Sequence, residues 1–179
     1  MNIKTLIDEK EIQDRIKIVA DKIQKDYDNE EIVIVCILKG AAFFATELAK
    51  RINSPIIMDF MKVSSYEGTE SSGEINFTLD ISTDIQNKNV VIVEDIIDTG
   101  RTLKYLKEYL TKKSPKSLKI CTLLNKKERR VVDLEPDYLC FDIPDKFVIG
   151  YGLDYDEKYR NLPYIGFIEY FYITLFFCT

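Results

Sequence analysis

Residues 32–38 read IVIVCIL and residues 90–93 read VVIV, with no polar residue interrupting either run. A strand with one face in water alternates apolar and polar positions, so an unbroken β-branched run marks a strand covered on both faces. Such strands belong to parallel sheets flanked by helices. The segments between the apolar runs supply those helices. In EIQDRIKIVADKIQKDY, residues Ile12, Ile16, Val19, Ile23 and Tyr27 recur at spacings of three and four, which predicts an amphipathic helix over about 8–27. GAAFFATELAKRI (40–52) and the stretch 102–113 read as two more. Strands are expected at 31–38, 55–63, 77–81, 89–93, 117–124, 138–142 and 147–149. This alternation predicts an α/β fold with a mostly parallel central sheet. Neither a repeat nor a linker divides the chain, so residues 1–179 are expected to form one domain.

Charge and composition exclude several functions. A net charge of −5 and a sequence pI near 5.0 provide no general attraction for nucleic acid. The N-terminus lacks the charged-then-apolar pattern of a secretory signal, so a cytoplasmic location is expected. The tail IEYFYITLFFCT (168–179) is aromatic and apolar but falls short of the ~20 residues that cross a bilayer. It is read as an edge strand or a subunit contact, with no membrane partner. Cys36, Cys121, Cys140 and Cys178 show no Cys-x-x-Cys spacing and read as plain thiols, mostly buried. The chain has no histidine, which removes imidazole acid–base chemistry and the usual zinc sites. A metal held here has oxygen ligands, which favours magnesium (Mg2+) arriving with substrate phosphates.

The second buried run ends in VVIVEDIIDTGRTL (90–103). In parallel α/β sheets the ligand crevice lies beyond the carboxyl ends of the strands, which is where Glu94 and Asp95 fall. The loop Asp98-Thr99-Gly100-Arg101-Thr102 then enters a helix whose first N–H groups and dipole favour an anion. Gly100 permits close backbone approach, and the hydroxyls of Thr99 and Thr102 can donate to phosphate oxygens. Acids beside a phosphate cradle make sense for a sugar phosphate, with the carboxylates accepting from vicinal hydroxyls or steadying magnesium. A plain strand, turn and capped helix needs one acid, and this stretch has three. The Gly-x-x-x-x-Gly-Lys-Ser/Thr and Gly-x-Gly-x-x-Gly signatures are both absent.

VVIVEDIIDTGRTL resembles the phosphoribosyl-diphosphate signature of the type I phosphoribosyltransferases, in the form carried by their purine branch, the hypoxanthine phosphoribosyltransferases. Further blocks follow in the family's order: LKGAAFF (38–44), SSYEG (64–68), LLNKKER (123–129) and IPDKFVIGYGLDYDEKYRNLPYIG (143–166). After Gly166 the aromatic tail departs from the family pattern. The resemblance implies the type I fold, with a small hood built from about 1–10 and 138–170. It also implies purine salvage, in which N9 of a 6-oxopurine displaces pyrophosphate from phosphoribosyl diphosphate. Asp98 is then the general base beside N7, and Ile97 with the loop through Thr102 binds the sugar phosphate. Glu94 and Asp95 take the ribose diol or magnesium. Lys39, Gly40 and Arg160 meet pyrophosphate, with Asp154 as a further magnesium contact. Ser65 and Tyr66 belong to a covering loop, Lys126 meets the 6-oxo group, Phe147 stacks on the base, and Val148 offers backbone groups to its edge. On residue type alone Asp154 reads as a solvated turn residue, Lys39 has a solvated turn lysine as its lesser alternative, and Phe147 reads equally as core or as a stacking ring. The family further implies a homodimer or homotetramer. A regulatory nucleotide-binding relative is the competing reading, weakened by the acidic pI and by Lys126 with Phe147-Val148. Lys126 also separates a 6-oxopurine from a 6-amino one, because an ammonium donates and cannot accept.

Overall fold

The computed structural model describes residues 2–65 and 75–169. Its central strand is β2 (Ile32–Ile37), in which every residue is buried. β2 runs parallel to β3 (Ile56–Ser65) on one side and to β5 (Asn89–Ile97) on the other. β6 (Ser117–Asn125) and β7 (Tyr138–Asp142) continue the parallel order beyond β5, and β4 (Ile75–Leu79) adds an antiparallel edge beside β3. The six-stranded order is β4-β3-β2-β5-β6-β7.

The unbroken apolar run of β2 is accounted for by the layers around it. Ile32, Ile34 and Cys36 pack with α1 (Glu9–Tyr27) and α2 (Ala42–Ala49) through Ile12, Ile16, Phe44 and Leu48. Val33, Val35 and Ile37 face the opposite layer, built on α3 (Arg101–Thr111) through Leu103, Leu106 and Leu110. Alternate β2 residues thus feed two cores, and no position is left for a polar side chain. Each such side chain contributes about 1.5–3 kcal/mol on full burial. Cys36, Cys121 and Cys140 are buried free thiols, as expected, while Cys178 lies outside the described residues.

Beyond shifts of about two residues at β3 and β4, three differences from expectation bear on the site. α2 is shorter than 40–52 because Lys39 to Ala41 form a turn, while Arg51 and Ile52 donate back to Leu48 and Ala49 in a tightened last turn. β5 continues past Val93 to Ile97, its ladder with β6 resuming at Ile96 after a break at Asp95. Glu94 and Asp95 therefore stand within the last turn of pleat, not beyond it. Finally, a second sheet in the order β1-β9-β8 joins β1 (Asn2–Ile7), β9 (Ile165–Glu169) and β8 (Val148–Ile149), all antiparallel. Of the segment 138–170 assigned to a hood, β7 lies on the edge of the main sheet and only β8 and β9 join β1. Ile168 and Glu169, the first residues of the aromatic tail, sit in the middle strand of the small sheet and not on an edge. The rest of the tail and Tyr66 lie outside the described residues. Among the described residues no helix is long and apolar enough to cross a membrane.

α1 starts where it does because Asp8 caps it. Its carboxylate accepts from Glu11 N at 2.8 Å, and Glu11 Oε2 accepts from Asp8 N at 3.1 Å, a reciprocal capping box. Asp8→Ala is expected to destabilise the fold by ~1 kcal/mol, seen as a melting temperature lower by about 2–4 °C. A thermal scan of both proteins at one concentration measures it, and an unchanged midpoint contradicts the capping role.

Candidate active site

The site is assembled from three segments that the sheet brings to one edge. The first is the end of β5 and the loop into α3. Gly100 adopts φ 81° and ψ −4° at the helix N-cap, a left-handed conformation that favours glycine, and the first turn of α3 meets only Thr99 Oγ1, which accepts from Arg101 N at a long 3.5 Å. The leading N–H groups of α3 are therefore available to an anion. The loop is tied to the β6 side by Lys126 N donating to Ile97 O at 2.9 Å and Val131 N to Thr99 O at 3.1 Å. A cavity of about 230 Å³ opens here, lined by Leu38, Glu94, Asp98, Thr99, Gly100 and Thr102 among others. A larger cavity of about 510 Å³, lined by Gln13, Phe43, Tyr151 and Leu162 among others, contains none of the expected site residues.

The second segment brings together Lys39, Gly40, Asp154 and Arg160. A Cβ on Gly40 would stand 1.5 Å from Asp95 Oδ2, and one on Gly152 (φ 102°) would stand 1.9 Å from Gly40 O. The 39–40 turn is thus held between the Asp95 side chain of β5 and the backbone of the 150–160 segment. Lys39 Nζ pairs with Glu157 at 2.6 Å. Arg160 donates Nη1 to Gly152 O at 2.7 Å and pairs Nη2 with Asp154 Oδ1 at 2.8 Å, and its Nε is buried with no partner among the described residues. Asp154 Oδ2 accepts from Glu157 N at 2.9 Å. Lys39, Gly40, Asp154 and Arg160 are thereby gathered beside Asp95. Residue type in the sequence carried no signal for Glu157, whose carboxyl is held below its ordinary range by Lys39.

The third segment follows β6 and is tied to the loop through Lys126 N, which donates to Ile97 O, and through Arg129, which donates to Asp98. Lys126 is only 7% exposed and lies 3.4 Å from Asp145 Oδ1. Asp98 Oδ1 accepts from Arg129 Nε at 3.0 Å. Phe147 is 51% exposed and stands edge-on to Tyr155 with ring centroids 5.7 Å apart. That exposure removes the core reading of Phe147 and leaves an aromatic face available for stacking. Val148 is buried in β8. Beneath Gly100 lies Arg130, which donates Nη2 to Asn125 and buries Nε and Nη1 without a partner among the described residues. Arg129, Arg130 and Asp145 were not singled out from the sequence, although the basic run KKERR beside Lys126 was a visible cue. Arg101 and Thr102 are exposed, Ser65 ends β3, and Tyr66 lies outside the described residues.

Glu94 and Asp95 are half-buried neighbours. Burial first, and then the adjacent Asp95 carboxyl, pushes Glu94 well above the ordinary carboxylate range. Burial also raises Asp95, opposed by its hydrogen bonds and by the charge of Arg160. Among the described residues no three acids gather closely enough to hold a metal by themselves, so Glu94, Asp95 and Asp154 do not form one cluster. A crowded carboxylate pair does fit magnesium, which takes one or two protein carboxylates and completes its shell with water and phosphate.

A carboxyl whose folded pKa lies above its unfolded value favours folding below the unfolded pKa, and this contribution is lost as pH rises through the folded pKa. At neutral pH Glu94 therefore destabilises the fold. Glu94→Gln is expected to melt at a higher temperature than wild type in metal-free buffer at about pH 7.5, the gap closing toward about pH 4 where an ordinary Glu protonates. Thermal scans across that range measure it, and a gap that does not vary with pH contradicts the assignment.

The sequence matches the phosphoribosyl transferase domain family over residues 2–156. It is 49% identical over 167 residues to a hypoxanthine-guanine phosphoribosyltransferase of Streptococcus thermophilus, covering 93% of each chain. The corresponding protein of Streptococcus pneumoniae is 51% identical over 167 residues, again 93% of each. The crystal structure of a hypoxanthine-guanine phosphoribosyltransferase from Bacillus anthracis superposes with a TM-score of 0.90 at 47% identity, covering 94% of this chain and 100% of that one. The chain belongs to the phosphoribosyltransferase family, on its hypoxanthine-guanine branch.

Proposed function

We propose that this chain transfers the 5-phosphoribosyl group of phosphoribosyl diphosphate to N9 of hypoxanthine or guanine, releasing pyrophosphate and a purine mononucleotide, IMP or GMP. The observation that carries the reading is the uncapped α3 N-terminus at Gly100, set beside the Glu94–Asp95 pair and across from the buried Lys126. A 5-phosphate suits the N–H groups of the loop, and a ribose diol or magnesium suits the paired acids. Relatives named as hypoxanthine-guanine phosphoribosyltransferases favour the enzyme over a nucleotide-binding regulator.

As C1 of the ribose loses pyrophosphate and gains N9, positive charge develops on the sugar, and the chain contributes by alignment and fixed charge. Lys39 and Arg160 hold the departing pyrophosphate, which their positions beside Asp95 support. Magnesium, held by Glu94, Asp95 or Asp154 together with the phosphates, would neutralise charge on that leaving group. Lys126 donates to the 6-oxo group, which selects against a 6-amino base. Phe147 stacks on the purine and the Val148 backbone meets its edge. Asp98 receives the proton that the purine ring sheds, a role the absence of histidine leaves to a carboxylate. We further infer a homodimer or homotetramer in the cytoplasm, a reading supported by the family resemblance.

Asp98→Asn is expected to keep the melting temperature and the binding of phosphoribosyl diphosphate while lowering turnover by about 10²-fold or more, the usual scale of general-base loss. Steady-state assay of nucleotide formation measures it, and unchanged turnover removes Asp98 from the chemistry.

A further inference from the structure

We infer that Arg129 and Asp145 are positioning residues that hold the two base-facing groups, Asp98 and Lys126, in fixed relation to each other through a chain of alternating charges. The inference rests on the roles proposed above for Asp98 and Lys126. The chain is continuous in space. Asp98 Oδ1 accepts from Arg129 Nε at 3.0 Å, Arg129 Nη1 stands 3.6 Å from Asp145 Oδ2, and Asp145 Oδ1 lies 3.4 Å from Lys126 Nζ. Its members come from three segments: the loop after β5, the 3₁₀ turn Lys127–Arg129 after β6, and the connection between β7 and β8. Arg129 N donates to Lys126 O at 3.1 Å, so the backbone that places Lys126 also places Arg129.

Stability does not explain the arrangement. The side chains of Asp98, Arg129 and Asp145 are 41%, 49% and 43% exposed, and ion pairs that open to water typically contribute ~0–1 kcal/mol. Direction is what the contacts do supply. A carboxylate on a short side chain rotates freely about its last bond unless a donor fixes one oxygen. Arg129 Nε fixes Oδ1, and Oδ2 has no hydrogen-bond partner among the described residues, which leaves one oxygen of the proposed base for a ring proton. Lys126 has three donors, and Asp145 engages only one of them, at a loose 3.4 Å. Asp145 thus restrains both cations at once. A purine whose N7 meets Asp98 and whose 6-oxo group meets Lys126 presents two groups at a fixed separation, and the chain sets the matching separation in the protein.

The test is steady-state kinetics on Arg129→Gln, Asp145→Asn and the double variant, with Asp98→Asn as reference and melting temperatures for all. Each single variant is expected to lose about tenfold in kcat/KM for hypoxanthine, with the KM for phosphoribosyl diphosphate within about twofold of wild type, the scale of coupling within one network. The double variant is expected to lose no more than the worse single, because both changes cut one chain. Single variants within about twofold of wild type for hypoxanthine, KM values rising together for both substrates, or losses that multiply in the double variant each overturn the inference. If Asp98→Asn is impaired while Arg129→Gln behaves as wild type, only this inference fails. If Asp98→Asn is unaffected, the proposed role of Asp98 fails and the inference with it.

Discussion

β5 is paired on both sides, to β2 through Val93 and to β6 as far as Ile97, and that double register decides where everything at the site stands. Its first five residues are buried between two cores, so the strand cannot slide without exposing Val or Ile to water or dragging Glu94 inward. Held in this way, it delivers two carboxyls and then a glycine-started helix to the same edge. The turn at Lys39–Gly40 is pressed against Asp95 with no room for a side chain, and Gly152 is pressed against Gly40 in its turn. The 150–160 segment, distant in sequence, thereby takes its position from β5.

An anion cradle beside a pair of acids is electrostatically awkward, and the surrounding charges show how the chain accommodates it. The cations that face the cleft have carboxylate partners: Lys39 with Glu157, Arg160 with Asp154, Arg129 with Asp98, and Lys126 with Asp145. Two of these pairs, Lys39–Glu157 and Arg129–Asp98, are open to water and therefore weak, so an incoming anion or oxygen acceptor can compete for those cations at small cost. The Glu94–Asp95 pair is the exception. It is sheltered and crowded, with Glu94 held above its ordinary range, and a divalent cation relieves what protonation otherwise must.

The sequence was readable where physics is local or periodic. The span of α1 follows from Ile12, Ile16, Val19 and Ile23 with a cap at Asp8, and β2 follows from an apolar run that only a doubly covered strand tolerates. The cradle was legible because one strand, its acids and the glycine turn lie within VVIVEDIIDTGRTL. What escaped notice is nonlocal. β1 and β9 are strands because Asn2–Ile7 pairs with Ile165–Glu169 from the other end of the chain, and of the two segments only Ile168 and Glu169 lie in a stretch that reads as an edge strand. The reach of β5 beyond Val93 was hidden by two acids that only the neighbouring β6 makes compatible with a ladder. Arg129, Asp145 and Glu157 act across large sequence separations, so as residue types they read as surface charge.

The loop from Asp98 to Thr102, which shares a cavity with Glu94, is proposed to bind the phosphate of phosphoribosyl diphosphate. Calorimetric titration of that compound in magnesium buffer, against wild type and Gly100→Val, tests it most directly. A valine there would need φ 81° and would meet Arg130 and Val132 at 2.9 Å, which forces the loop out of the conformation that presents its N–H groups. Saturable binding to wild type is expected, and its loss in Gly100→Val with a cooperative melting transition retained. Absence of heat from wild type, or undiminished binding by Gly100→Val, contradicts it.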